Sequence, residues 1–300
     1  MQVSKPKLSV VIASCVGAPY IDRCLKSLEK QIATDDIECI LIDRAGADLA
    51  DRIESEYRWL KVFRRPPGES VPDLRRYGIS QAQANFVAII EEHCVAQEDW
   101  IETIMKSIEG NPAAIGGIVA DADYERLTDW AVYFTEYNSY MPPGISGETN
   151  DVCVANCVYR RDLLLKYLPT TGSGYWEASL NKTLLDSGER FLTEPRLVVS
   201  HTGPFGLSYY LHQRYLFSRA FAGVRRDRVS LLFKLFYVFL APILMPLLWA
   251  RIASRVLASK RNVGKFVAIT PLMVPIMATY VFGECVGFLL GPGDSLKKIE

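Results

Sequence analysis

The sequence predicts an α/β protein: a mostly parallel sheet flanked by helices, followed by a C-terminal helical segment associated with a membrane. Three observations predict it. Apolar runs dense in β-branched residues alternate with helical patterns through residue 90, and two long, uniformly apolar stretches lie in the last ninety residues. Charge is also segregated, because the 34 basic residues balance the 34 acidic ones overall, yet ten of the basic ones crowd into residues 219–265 beside a single acid, Asp227. The balance, together with 49% apolar residues, excludes a disordered chain or one that coats nucleic acid.

LSVVIAS (8–14) reads as the first strand; Lys5 and Lys7 before it imitate a signal peptide, but the run is β-branched and passes directly into an amphipathic helix. In that helix Ile21, Cys24, Leu25, Leu28 and Ile32 fall at helical spacing, and Pro19 suits its start. Then come a strand ECILID (38–43), a helix GADLADRIESEY, a strand LKVF (60–63), a helix over 69–84 and a strand NFVAII (85–90). Such alternation implies parallel pairing with right-handed crossovers.

In sheets of this kind ligands collect at the carboxyl ends of the strands, where helix N-termini face anions. Two strands end there in polar groups. ILID runs into Asp43 and Arg44, and VAII runs into Glu91, Glu92 and His93. Both sets are expected to face one crevice.

Beyond residue 115, IGGIVA (115–120) and VCVANCVYR (152–160) read as strands, and the aromatic, proline-rich stretch between them as a loop over the crevice. A helix over 178–186, a turn at Ser187 and Gly188, and two short strands ending at His201 follow. The stretches 229–250 and 266–291 are each long enough to cross about 30 Å of hydrocarbon. Pro242, Pro246, Pro271 and Pro275 interrupt them, which leaves kinked or re-entrant helices as open as straight spans. Arginines and lysines flank the first on both sides, so a single crossing is disfavoured and a dip-and-return is expected. The expected division is residues 1–210 and 211–300. Seven cysteines without a CxxC spacing fit a reduced, cytosolic compartment.

Over roughly residues 7–220 these motifs, in this order, resemble the inverting family 2 glycosyltransferases of the GT-A fold. LSVVIASCVGAPYIDRCLKSLEKQ is similar to the family's first strand and helix, with Ser14, Cys15 and Val16 in place of the usual residues. ILIDRAG stands where the family commonly has two aspartates; Asp43 remains and Arg44 takes the second place. LRRYGISQAQANFVAII is similar to the arginine-containing helix before the metal-binding strand end, and EEH occupies the site of the family's DxD motif, with Glu91 and His93 at the aspartate positions. GECVGFLLGPG resembles the ending of a membrane-associated subgroup carrying this Glu-x-His variation.

The resemblance implies a GT-A-like, Rossmann-type sheet, a nucleotide-sugar donor and a divalent metal, Mn or Mg, at the diphosphate. Glu91 and His93, two apart on an extended chain, point to one side and can approach one ion, and the imidazole shifts preference toward Mn²⁺. The competing reading is a protonated His93 that contacts phosphate without a metal. His201 is either a third ligand or a structural loop histidine. YWEASLNKTLLDSGERF keeps the family's leucine and glycine as Leu180 and Gly188, which puts Trp176 and Glu177 at its acidic pair. Glu177 is thus the expected general base, or else a carboxylate complementing a helix dipole. Trp176 would stack on a sugar face or simply pack.

Arg75 and Arg76 are expected at the donor's phosphates, Asp43 at its base or ribose, and Glu92 among the donor-binding residues. LHQRYLFSRAFAG matches the motif of processive relatives only in part and reads as an interfacial helix. The implied partners are the donor, a lipid or lipid-linked acceptor and the membrane, with no nucleic acid. The implied location is the cytoplasmic membrane, catalytic domain toward the cytosol. A degenerate, non-catalytic nucleotide-binding or scaffold relative is the alternative; a metal-dependent hydrolase lacks a second metal cluster.

Overall fold

The computed structural model describes residues 5–32, 36–168, 177–203 and 205–299 of the chain. Two compact units result: Met1–Ala122 with Tyr140–Gly203, and Asp123–Ser139 with Pro204–Glu300.

In the first unit β1 (Leu8–Ser14), β2 (Ile37–Asp43), β3 (Leu60–Arg64) and β4 (Phe86–Glu91) alternate with α1 (Tyr20–Glu29), α2 (Ala47–Glu56) and α3 (Val71–Gln81). All three strand pairs among them, β1 with β2, β1 with β4 and β2 with β3, are parallel. The second half adds β5 (Cys94–Ala96), β6 (Ala114–Ala120), β7 (Gly147–Thr149), β8 (Asn156–Arg160) and β9 (Phe191–His201). The sheet order is β3-β2-β1-β4-β8-β6-β9-β5, with β7 on β9. β8 runs antiparallel to both β4 and β6, so the mostly parallel sheet turns mixed past its middle.

Buried β-branched residues on one face of the parallel half, among them Val11, Ile40, Ile42, Val87 and Ile89, form the core with Leu74 of α3. Here α3 lies unusually close to the sheet. A Cβ on Gly78 would come within 2.5 Å of Val11 and 3.0 Å of Ile42, so only glycine lets the helix settle at this depth. Its start is fixed by Ser70, whose hydroxyl accepts from the Asp73 N–H at 3.2 Å.

Residues 191–201, expected as two short strands, form the single strand β9. Gly116 of β6 pairs with Thr193 and Ile118 with Val198, so the residues around Pro195 bulge out of the ladder without ending it. The helices α4 (Trp100–Ser107), α6 (Arg161–Tyr167) and α7 (Glu177–Asp186) complete this unit.

The second unit contains α5 (Leu127–Tyr137), α8 (Leu207–Gly223), α9 (Leu231–Ser259) and α10 (Val263–Leu290). Two expectations change here. The stretch read as a loop over the crevice contains α5, and it groups with the C-terminal helices, unlike the expected split at residue 210. The reason is its apolar content: Trp130, Tyr133 and Phe134 are buried, and the Phe134 ring meets Phe266 of α10 edge-on at 5.5 Å. Moreover, the four prolines lie inside continuous helices of 29 and 28 residues.

Both α9 and α10 are long and apolar enough to cross a membrane. They differ in surroundings. α9 leaves Leu232 and Phe239 77% and 80% exposed, whereas α10 packs on α8, α9 and α5. Contact with α8 is backbone-close, since a Cβ on Gly283 would sit 2.0 Å from the Ser218 hydroxyl.

Candidate active site

The carboxyl ends of β1, β2 and β4 lie level, with Ser14 opposite Asp43 and Ala13 opposite Glu91. The Asp43 carboxylate is buried and accepts from the backbone N–H groups of Ala45 and Gly46, both at 3.3 Å, an Asx-type turn closing the loop after β2. Arg44 beside it donates its guanidinium to the Glu69 carbonyl.

Successive side chains beyond β4 diverge. Glu92 turns into the chain and accepts from three consecutive backbone N–H groups, Cys15 at 2.8 Å, Val16 at 3.0 Å and Gly17 at 3.1 Å. Such a run of amides is an anion-binding nest, and this carboxylate is its anion. Glu92 therefore fixes the loop after β1, a different task from the donor-binding one expected of it.

Glu91 points elsewhere. Its Oε1 accepts from the Arg75 guanidinium at 2.9 Å, and the two side chains are 22% and 11% exposed. Near this pair lies Glu177, half-buried at the first turn of α7. Its carboxyl is held above the ordinary carboxylate range chiefly by burial; Arg75 acts in the opposite direction, and the charges of Glu91 and Asp151 add to the rise. Three of the expected residues, Arg75, Glu91 and Glu177, thus share one electrostatic neighbourhood.

What holds Glu177 there was not among the expected residues. Asn181, one turn on, donates to Asp151 Oδ1 at 2.7 Å and accepts from the Tyr159 hydroxyl at 2.6 Å. Asp151 also accepts from the Tyr140 hydroxyl at 2.7 Å and the Val152 N–H at 3.0 Å. Burial, with Cys153 and Asp151 next, pushes the Tyr140 phenol up, so it stays a donor. The one available signal was Asn181 lying four residues after Glu177, on the same helix face.

Cys15 links this neighbourhood to Asp43. Burial first and Glu92 second push its thiol up to about 12, and the charges of Arg44, Arg75 and Asp43 all reach it. It is therefore a neutral packing group at neutral pH. None of the seven cysteines, all among the described residues, forms a disulfide.

His93 packs its ring against Tyr20 at 4.8 Å and lies 6.1 Å from the ring of His201. His201 closes β9 opposite Cys94 and is 3% exposed, a strand residue and not a loop one. Burial, followed by the influence of His93, lowers its pKa to about 3. The imidazole is neutral at physiological pH, the form that ligates metals.

Among the described residues, no three histidine, cysteine or carboxylate side chains gather as a metal cage. The expected set of Glu91, His93 and His201 is thus not assembled as a three-ligand site. A Mg²⁺- or Mn²⁺-type ion at a phosphate site commonly takes only one or two protein groups, with substrate oxygens completing its shell. Glu91 and His93 are of the residue types such a smaller set uses, with Glu91 paired to Arg75 and His93 packed on Tyr20. Arg76 pairs with Asp73 on its own helix at 3.2 Å. Trp176 lies outside the described residues.

The sequence pattern of Glycosyl transferase family 2 matches residues 9–168, more than half of the chain. The chain belongs to glycosyl transferase family 2. As a family 2 member it is a glycosyltransferase, and its fold is GT-A-like. Mannosyltransferase PcManGT from Pyrobaculum calidifontis, solved in complex with GDP-Man and Mn²⁺, is 17% identical with a TM-score of 0.59, over 96% of this chain and 88% of that one. S. aureus TarS 1–349 is 15% identical with a TM-score of 0.51, over 94% and 90% of the two chains. The same TarS fragment in complex with UDP-GlcNAc gives 15% and 0.52 over the same shares. At these identities the likeness speaks for the fold alone. No curated protein sequence matches the chain.

Proposed function

We propose that this glycosyltransferase inverts the donor sugar in one displacement, passing it from a nucleotide diphosphate to a lipid or lipid-linked acceptor. It does so at the cytoplasmic membrane with its catalytic unit toward the cytosol. The observation that carries the reading is the shared neighbourhood of Glu177, Arg75 and Glu91 beside the carboxyl ends of β1 and β4.

An alcohol is a poor nucleophile at neutral pH, so its proton must go to a base as the new bond to the anomeric carbon forms. Glu177 is that base. Burial raises its pKa above the ordinary carboxylate range while the Arg75 charge acts to lower it, and a higher pKa makes the carboxylate a stronger base. The other requirement is to accommodate negative charge on the departing diphosphate. The Arg75 guanidinium supplies a positive charge at Glu91, and His93 supplies an imidazole. A divalent cation, bound by Glu91 and His93 together with the donor's own oxygens, would add Lewis acidity at the diphosphate; the Mn²⁺ in the PcManGT complex motivates testing that metal first. Asp43, at the carboxyl end of β2, would meet the nucleoside end.

The lipid side of the proposal is supported by α9, whose apolar residues are exposed along its length, and by the basic residues at both its ends. Purified full-length protein in detergent, assayed for donor hydrolysis and for nucleotide-dependent melting shifts with and without Mn²⁺, tests the reading. Glu177→Gln should lower turnover by at least about 10²-fold and keep nucleotide binding. Turnover within roughly a few-fold of wild type in that variant would refute the assignment of the base. Membrane-impermeant labelling of a cysteine introduced at Lys260 should occur from the cytosolic side; labelling from outside would overturn the topology.

A further inference from the structure

Two demands meet on the carboxylate of Glu91. Its Oε1 already accepts from the Arg75 guanidinium at 2.9 Å, in a pair whose side chains are 11% and 22% exposed. A divalent cation at the diphosphate would need the same carboxylate. A guanidinium and a divalent cation on one carboxylate repel each other at close range, and partial burial screens that repulsion less than water would. One of them has to give way to the other.

The backbones of both residues are held. Ser70 caps the start of α3, and at Gly78 the helix lies so close to the sheet that a Cβ would meet Val11 at 2.5 Å. Glu91 is the last residue of β4, and its pairing with Ala13 keeps it in the ladder with β1. Adjustment therefore falls to the side chains, of which the arginine is the longer.

The guanidinium also has somewhere to go. Its charge reaches Glu177, where it acts against the rise that burial causes, and the thiol of Cys15 in the loop after β1. It thus lies among groups from the carboxyl ends of β1 and β4 and the start of α7. A guanidinium fork suits the oxygens of a phosphate group arriving there.

We propose that Arg75 holds Glu91 in place of the cation, and that cation binding displaces the guanidinium from Glu91 and turns it to the donor's diphosphate. The inference rests on the reading of Glu91 as a cation ligand. Before the cation arrives, the pairing keeps a partly buried carboxylate compensated. Afterwards the arginine is released to the leaving group, so that cation and donor each favour the other's binding.

The test is Mn²⁺ binding to the full-length protein in neutral detergent without donor, followed by the electron paramagnetic resonance of the free ion. If the ion must break the Arg75–Glu91 bond, removing the guanidinium removes that cost. R75M should then bind Mn²⁺ at least about tenfold more tightly than wild type, the worth of one charge-assisted hydrogen bond. R75Q should show the same gain and guards against misfolding of R75M, whereas R75K, which restores a positive charge, should return affinity toward the wild-type value. R76M removes the neighbouring charge, which pairs with Asp73, and should stay within roughly a few-fold of wild type. Unchanged or weaker Mn²⁺ binding in both R75M and R75Q, or an equal gain in R76M, would overturn the inference while leaving Glu91 as a ligand. E91Q and R75M/E91Q should both bind Mn²⁺ at least about tenfold more weakly than R75M. If E91Q instead binds it as tightly as wild type, the reading of Glu91 as a cation ligand fails, and the inference falls with it.

Discussion

Lowering the pH from 7.5 to 5 should destabilise the catalytic unit through one residue, His201. Its imidazole is 3% exposed, and burial with the neighbouring His93 takes its pKa from 6.5 to about 3. The direction follows from linkage: below pH 6.5 the unfolded chain takes up a proton that the folded chain refuses. Stability from this group is complete above 6.5 and is lost as pH falls toward 3. Each pH unit in that window costs about 1.4 kcal/mol, so at pH 5 the loss is about 2 kcal/mol. For a unit of this size that is a drop of roughly 4–8 °C in melting temperature. The perturbation that isolates it is His201→Gln, which stays neutral throughout. Melting curves of both proteins in metal-free buffer across this range should diverge, with wild type falling roughly 4–8 °C further than the variant. Parallel loss in the two proteins would show that His201 takes up its proton in the folded state, and would refute the buried, neutral imidazole.

Four further outcomes are expected. Glu177→Gln should lower transfer by about 10²–10⁴-fold, the usual share of a general base, measured as product formation at saturating donor; wild-type activity should fall on acidification with a midpoint above the ordinary carboxylate range. Asn181→Leu should lower kcat with little change in donor KM, because it frees α7 from Asp151 and Tyr159 without touching Glu177. Arg75→Met leaves the Glu91 carboxylate without its guanidinium and should cost roughly 1–3 kcal/mol of stability, read as a lower melting temperature, along with weaker donor binding. Glu92→Gln can no longer satisfy three amides as an anion, and should speed hydrogen exchange at Cys15, Val16 and Gly17.

The parallel half of the fold was legible because strands buried on both faces read as continuous β-branched runs, and amphipathic helices separate them. β1 and β2 fall within a residue of their expected bounds. β9 was misread because Pro195 argues locally for a break; the decisive fact is the bulge opposite Gly116 and Ile118, which depends on a strand some eighty residues away. α5 was hidden for a similar reason: its aromatic residues pack against helices far along the chain. Within the site, period-two alternation separated Glu91 from Glu92, but it could not say that Glu92 would meet the loop after β1. Asp151 and Asn181 are partners thirty residues apart, and a pairing over that distance leaves no periodic trace.

The three amides after β1 have a consequence for how the enzyme must handle phosphate. In many α/β proteins a cluster of this kind grips the ligand's own anion. Here the chain has plugged that socket with the carboxylate of Glu92, so no vacancy is left for a diphosphate to fill. The donor's charge is then left to side chains and to any bound cation, and evolution could retune leaving-group affinity by substituting those side chains without unpicking the loop after β1.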